Sequence, residues 1–135
     1  MATGDSVLAA QAMGADMGYI GSAFIATEEA NADEGYKQAI VDCGADDIVY
    51  SSLFTGVHGN YLKPSIENAG LDPNNLPDSD PTKMDFGSGG NTDAKAWKDI
   101  WGSGQGIGAV KARETAGEYI ATLVEQYNAA KARIL

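Results

Sequence analysis

Residues Gly14 to Thr27 read GADMGYIGSAFIAT, and the fold turns on how this stretch is read. Met17 to Ile20 is short and lacks polar alternation, the pattern of a strand covered on both faces. It delivers Gly21 and Ser22 to the start of a helical turn. Such a turn is either a tight strand-to-helix connection or an anion site. Free main-chain N–H groups and the positive end of the helix dipole hold a dianion without Lys or Arg, and glycine lets its oxygens come close. Upstream, Met1-Ala2-Thr3-Gly4-Asp5 reads as the tail of another strand-to-helix turn, so the sequence is expected to begin inside a motif.

Asp5 or Ser6 is expected to cap a first helix through Val7, Leu8, Ala10, Gln11 and Met13, with Gly14 ending it. Helix, glycine stop, strand and glycine turn make the rhythm of a parallel α/β sheet. Thr27 with Glu28 and Glu29 is expected to open the next helix, whose apolar face carries Tyr36, Ala39, Ile40 and Cys43. Asp47 to Phe54 has the β-branched and aromatic content of an extended segment, and Thr55 to Gly59 turns the chain. Pro64 suits the first turn of a small helix, Ser65 to Ala69, stopped by Gly70.

Leu71 to Asn91 holds three of the four prolines and reads as a loop, of a length that signals function or disorder. Thr92 is expected to cap a short helix with Trp97, Ile100 and Trp101 on one stripe, broken by GSGQGIG at Gly102 to Gly108. Thr115 and Glu118 form a capping box for a last helix striped with Tyr119, Ile120, Leu123, Val124, Tyr127 and Ile134. With 135 residues the chain suits a single domain over 1–135 and not two.

Hydrophobic residues make up 44% of the chain, which argues for a folded core. The net charge of −10 is uneven: residues 1–85 carry 14 acidic and 3 basic side chains, residues 86–135 carry 5 and 6. No basic face is available for nucleic acid. Cys43 is the single cysteine, so an internal disulfide is impossible, a structural zinc site has no ligand set, and a reducing, cytoplasmic setting is expected. No apolar run reaches the ~20 residues of a membrane span.

His58, the one histidine, pairs by spacing with no Ser or Cys and reads as a solvated loop residue. Cys43 reads as a packed thiol. The acidic cluster from Glu28 to Asp47 lacks calcium-loop spacing and reads as a solvated face. GSGQGIG follows no expected strand, so it fits a dinucleotide fingerprint poorly. Gln105 is the one side chain in that run with the length and polarity to reach a ligand.

The segment ATGDSVLAAQAMGADMGYIGSAFIATEEANADEGYK resembles the last strand–helix units of the nitronate monooxygenases, also called 2-nitropropane dioxygenases. SLFTGVHGNYLKPSIENAGLDP and KAWKDIWGSGQGIGAV resemble the family's C-terminal motifs. The resemblance implies an α/β fold, the C-terminal part of a (β/α)8 TIM barrel that binds flavin mononucleotide (FMN). In that family a GG-I-A-x-G turn and a Q-M-G-T turn jointly cradle the flavin phosphate. Tyr19, Ile20, Gly21 and Ser22 stand at the Q-M-G-T positions, with Tyr19 in place of glutamine and Ser22 keeping the hydroxyl of threonine. Ala2, Thr3 and Gly4 match the end of the first turn.

The cofactor-binding residues so implied are Tyr19, Ile20, Gly21 and Ser22, with Gln105 near the flavin or substrate. No catalytic residue is assigned. The implied reaction is oxidation of an alkyl nitronate with dioxygen. A barrel of this kind needs about 250 residues, so these residues alone are expected to be inactive. They are expected either to belong with a missing N-terminal portion or to homo-oligomerise, since an incomplete barrel leaves strand edges and an apolar face open.

Overall fold

A computed structural model describes residues 1–78 and 96–135. These residues form two compact units, one of Met1–Gly44 with Gly104–Leu135 and one of Ala45–Ser103.

In the first unit the helix cap lies at Thr3, two or three residues before the expected Asp5 or Ser6, and is a capping box. Thr3 Oγ1 accepts the Ser6 N–H at 3.2 Å and Ser6 Oγ accepts the Thr3 N–H at 3.3 Å, so helix α1 is Gly4–Ala12. Gly14, at φ +103°, turns the chain out of it. The last helix, Ala116–Ile134, has the expected box: Glu118 N–H donates to Thr115 Oγ1 at 3.2 Å and Thr115 N–H to Glu118 Oε2 at 2.9 Å. This helix, α6 in chain order, lies against α1 at Gly4, where a Cβ would run into the main chain of Leu123 and Tyr127. The seam is tied by Gly4 N–H to Gln126 Oε1 at 2.9 Å and by the Tyr127 hydroxyl to Gln11 Oε1 at 2.6 Å.

The stretch Met17–Ile20 is not a strand. It forms no ladder, and Met17 and Tyr19 are 86% and 92% exposed. A strand exists only by pairing, and among the described residues none runs beside it. Gly21 then leads into a single turn, α2, Ser22–Ile25. Phe24 from this turn meets Tyr119 of α6 edge to face at 4.9 Å, and the Tyr119 hydroxyl donates to the Ala2 carbonyl at 2.8 Å.

Helix α3 is Glu34–Asp42, beginning seven residues after Thr27. Thr27 instead closes α2, its hydroxyl donating to the Phe24 carbonyl at 2.7 Å. Glu29 does serve a helix N-terminus, but that of α6: its Oε2 accepts the Ala116 N–H at 2.8 Å, while Glu28 N–H donates to the Glu114 carbonyl at 3.0 Å. Ala39 and Ile40 are buried on α3 as expected, with Tyr36 and Cys43 half-buried. Lys37 is buried beside them, its Nζ donating to the Glu28 carbonyl at 3.0 Å. Arg113 and Glu34 form an ion pair.

The second unit holds the one sheet of the described residues, and it is antiparallel. Strand β1, Ile48–Ser51, pairs with β2, Gly59–Leu62, from Ile48 opposite Leu62 to Ser51 opposite Gly59. The parallel rhythm expected from the sequence is therefore not realised within these residues. Gly56, at φ +80°, makes the turn between the strands. Helix α4, Lys63–Asn68, carries Pro64 in its first turn and is stopped by Gly70 at φ +80°. A short helix α5, Ala96–Asp99, follows. Phe54, Ile66 and Ile100 form the core of this unit. Ser65 Oγ donates to the Leu62 carbonyl at 2.8 Å and accepts the Trp101 N–H at 3.0 Å, fixing residue 101 against the strand. Most of the expected loop, the Thr92 cap and the Trp97 side chain lie outside the described residues. No helix among those described is long and apolar enough to cross a membrane.

Candidate functional site

Three segments distant in sequence wall a recess of about 240 Å³ in the first unit: Met1–Ala2, the stretch from Tyr19 to Ala23, and the 3₁₀ turn Gln105–Ala109 with Gly104 before it. Each wall has a structural cause. Tyr119 pins Ala2 by its carbonyl. Gly21 breaks the extended run and starts α2, whose first N–H groups have no preceding turn to donate to. Among the described residues no acceptor meets the amides of Gly21, Ser22 or Ala23. Ile107, fully buried, anchors the third wall.

No Asp, Glu, Lys or Arg lines the recess. In a chain of net charge −10, its polar groups are main-chain N–H and C=O groups, the Met1 nitrogen and the hydroxyls of Ser22 and Tyr19. The N–H and O–H donors among them suit an anion. Close approach is built in: a Cβ on Gly106 would stand 3.1 Å from the Met1 nitrogen.

Gly21 and Ser22 both line the recess, and Ser22 Oγ accepts the Gly104 N–H at 2.8 Å. Tyr19 stands at its mouth with its ring in solvent. Ile20 is half-buried and faces a different surface, an apolar groove of about 520 Å³ between α1 and α6 that Tyr19 also borders. Gln105 is exposed at the rim, between the wall residues Gly104 and Gly106. Ala2, from the end of the first expected turn, reaches the same recess as Gly21 and Ser22. The part of Gly104, Gly106 and Ile107 is not visible in a local reading. Its one trace is the alternation of glycines through Gly102–Gly108, residues that permit close backbone contact.

Elsewhere, His58 is exposed and stacks on Tyr50 with ring centroids 4.7 Å apart. The acidic residues form no group able to hold a metal ion among the described residues. The Arg113 guanidinium, hydrogen-bonded to Glu34, holds that carboxyl below the usual glutamate range. Burial pushes the Tyr36 hydroxyl up, and burial with the nearby Glu114 does the same to Tyr119.

The sequence model of the nitronate monooxygenase family matches residues 1–126. A nitronate monooxygenase of Paraburkholderia phytofirmans is 33% identical over 94 residues, covering 69% of this chain and 26% of that protein. Nitroalkane oxidase from Streptomyces ansochromogenes superposes with a TM-score of 0.70 at 26% identity, over all of this chain and 39% of its own. FabK from Thermotoga maritima superposes with a TM-score of 0.67 over 99% of this chain and 44% of its own; at 16% identity it speaks for the fold alone. The chain thus spans about a quarter of the curated relative and about two fifths of the solved structures. With the match running from Met1 through most of α6, the chain belongs to the nitronate monooxygenase family.

Proposed function

We propose that these residues are the phosphate-gripping C-terminal part of an FMN-dependent nitronate monooxygenase, built as a (β/α)8 barrel and acting on alkyl nitronates with dioxygen. One observation carries the reading: Ala2 from the first turn and Gly21–Ser22 from the second line one recess, which has open amides and no carboxylate. A terminal phosphate monoester, the group that distinguishes FMN from riboflavin, is what such a donor set suits. The amides of Gly21, Ser22 and Ala23 would hold its oxygens, the Ser22 hydroxyl would donate a further hydrogen bond, and Tyr19 would shield the mouth. When bound, FMN supplies the redox chemistry, taking reducing equivalents from the nitronate and passing them to dioxygen. Residues 1–135 alone would hold the phosphate end without turning substrate over.

The test is the natural polypeptide that carries residues 1–135. Denaturation should release FMN in near-stoichiometric amount, and the native protein should consume oxygen on addition of an alkyl nitronate. Release of no flavin, or of one without a terminal phosphate, rejects the reading.

A second reading is favoured by the apolar groove between α1 and α6, where Ile120 and Val124 are 50% and 55% exposed. In it these residues are a non-enzymatic module that covers the groove with a second copy of itself.

A further inference from the structure

One hydrogen bond joins two of the walls of the recess across 82 positions of sequence: the Gly104 N–H donates to Ser22 Oγ at 2.8 Å. Gly104 is extended, at φ −79° and ψ 158°, and leads directly into the turn Gln105–Ala109. A Cβ on Gly104 would lie 3.4 Å from Ser22 Oγ, and one on Gly106 would lie 3.5 Å from Ala2 Cβ. Both are ordinary contact distances, and the third wall comes tightest at Gly106, where a Cβ would stand 3.1 Å from the Met1 nitrogen. A hydroxyl that accepts through a lone pair keeps its own proton to donate, so Ser22 serves the Gly104 amide and the interior of the recess at once.

We propose that Ser22 is a positioning residue: its oxygen latches the Gly104–Ile107 wall onto the Tyr19–Ala23 wall and so sets the width of the recess to that of a phosphoryl group. This rests on the phosphate reading above. Without the hydroxyl, the Gly104 amide loses this acceptor and its turn draws away. The amides of Gly21, Ser22 and Ala23 then face a wider and wetter space. The lost binding is lost preorganisation, beyond the single contact of Ser22 with the ligand.

The test compares Ser22→Ala, Ser22→Thr, Gly104→Pro and the double variant Ser22→Ala/Gly104→Pro in the natural polypeptide. Proline fits the φ at 104, removes the N–H and sets its Cδ where that hydrogen meets Ser22 Oγ, so it breaks the bond and holds the two walls apart. Hydrogen exchange of residues 104–109 in the flavin-free protein should quicken about tenfold in Ser22→Ala and stay slow in Ser22→Thr, which keeps the acceptor. Titration with FMN and with riboflavin should show the preference for FMN falling about tenfold in Ser22→Ala and in Gly104→Pro, with the double variant no worse than the Ser22 single. Unchanged exchange in Ser22→Ala, or a fully retained FMN preference in a folded Gly104→Pro, overturns the latch. An unsubstituted protein with no preference for FMN over riboflavin overturns the phosphate reading itself.

Discussion

At Gly21 the main chain is at φ −110°, a conformation open to any residue, and an added Cβ would meet only the Tyr19 ring, at 3.7 Å. Backbone strain therefore does not demand glycine here; the space in front of the amides does. Gly21→Val is expected to leave the flavin-free melting temperature within about 4 °C of the parent, since it neither fills a core nor forces a positive φ. The same change should weaken FMN binding more than about tenfold, because two methyl groups would stand where phosphate oxygens approach. Calorimetry of the flavin-free protein beside a fluorescence titration separates the two effects. Equal FMN affinity in parent and variant would show that the recess is not the phosphate site. The helical turn that opens at Gly21 and Ser22 was legible in the sequence because its signal is local, a glycine at the head of the turn. Gly104 and Gly106 were not, because their value lies in what stands opposite them, Ser22 and Met1, more than eighty positions away.

Among the elements, α1 and α6 show the difference between local and distant causes. The α6 cap was readable because Thr115 and Glu118 satisfy each other three positions apart. Thr115→Ala is expected to cost about 1 kcal/mol, measured by urea unfolding. Glu118 adds a pH dependence of known sign. Hydrogen bonds from the Thr115 main chain and hydroxyl hold its carboxyl below the usual glutamate range. A pKa depressed by folding gives stability that is present above the unfolded value and lost as pH falls through the folded one. The stability gap between parent and Glu118→Gln should therefore narrow as unfolding is repeated from neutral pH down through the carboxylate range; a constant gap would refute the cap. The start of α3 was misplaced for the opposite reason. Thr27 and Glu29 have the composition of a helix start, but their side chains are engaged by Phe24 and by Ala116, the latter 87 positions away. The seam of α1 and α6 is equally non-local: Gly4→Ala would drive a methyl into the main chain at Leu123 and Tyr127 and should cost about 3 kcal/mol or more, whereas a methyl at Gly21 would meet only the Tyr19 ring.

At the scale of the whole molecule, the pattern of Met17–Ile20 and its environment disagree, and the disagreement has a physical content. A run without polar alternation is written for burial on both faces, yet Met17 and Tyr19 stand in solvent. Half of the α6 stripe is in the same state: Tyr119 is buried, while Ile120 and Val124 border the open groove. Among the described residues nothing covers these apolar positions, and the relatives that the chain matches are more than twice as long. Apolar surface of this extent drives association when nothing else covers it. Residues 1–135 produced alone should sediment as dimers or larger species. Val124→Glu with Ile120→Glu should shift them toward monomer with the helical circular dichroism kept, since both positions are half exposed and neither fills the core. A parent chain that is monomeric across the micromolar range and still shows slow amide exchange in α1 and α6 would mean that the groove needs no cover. Loss of association without gain of flavin would favour the self-covering module. If adding the part of a longer family member that these residues do not match abolished association and conferred FMN binding, the groove would be the seat of that part rather than of a second copy.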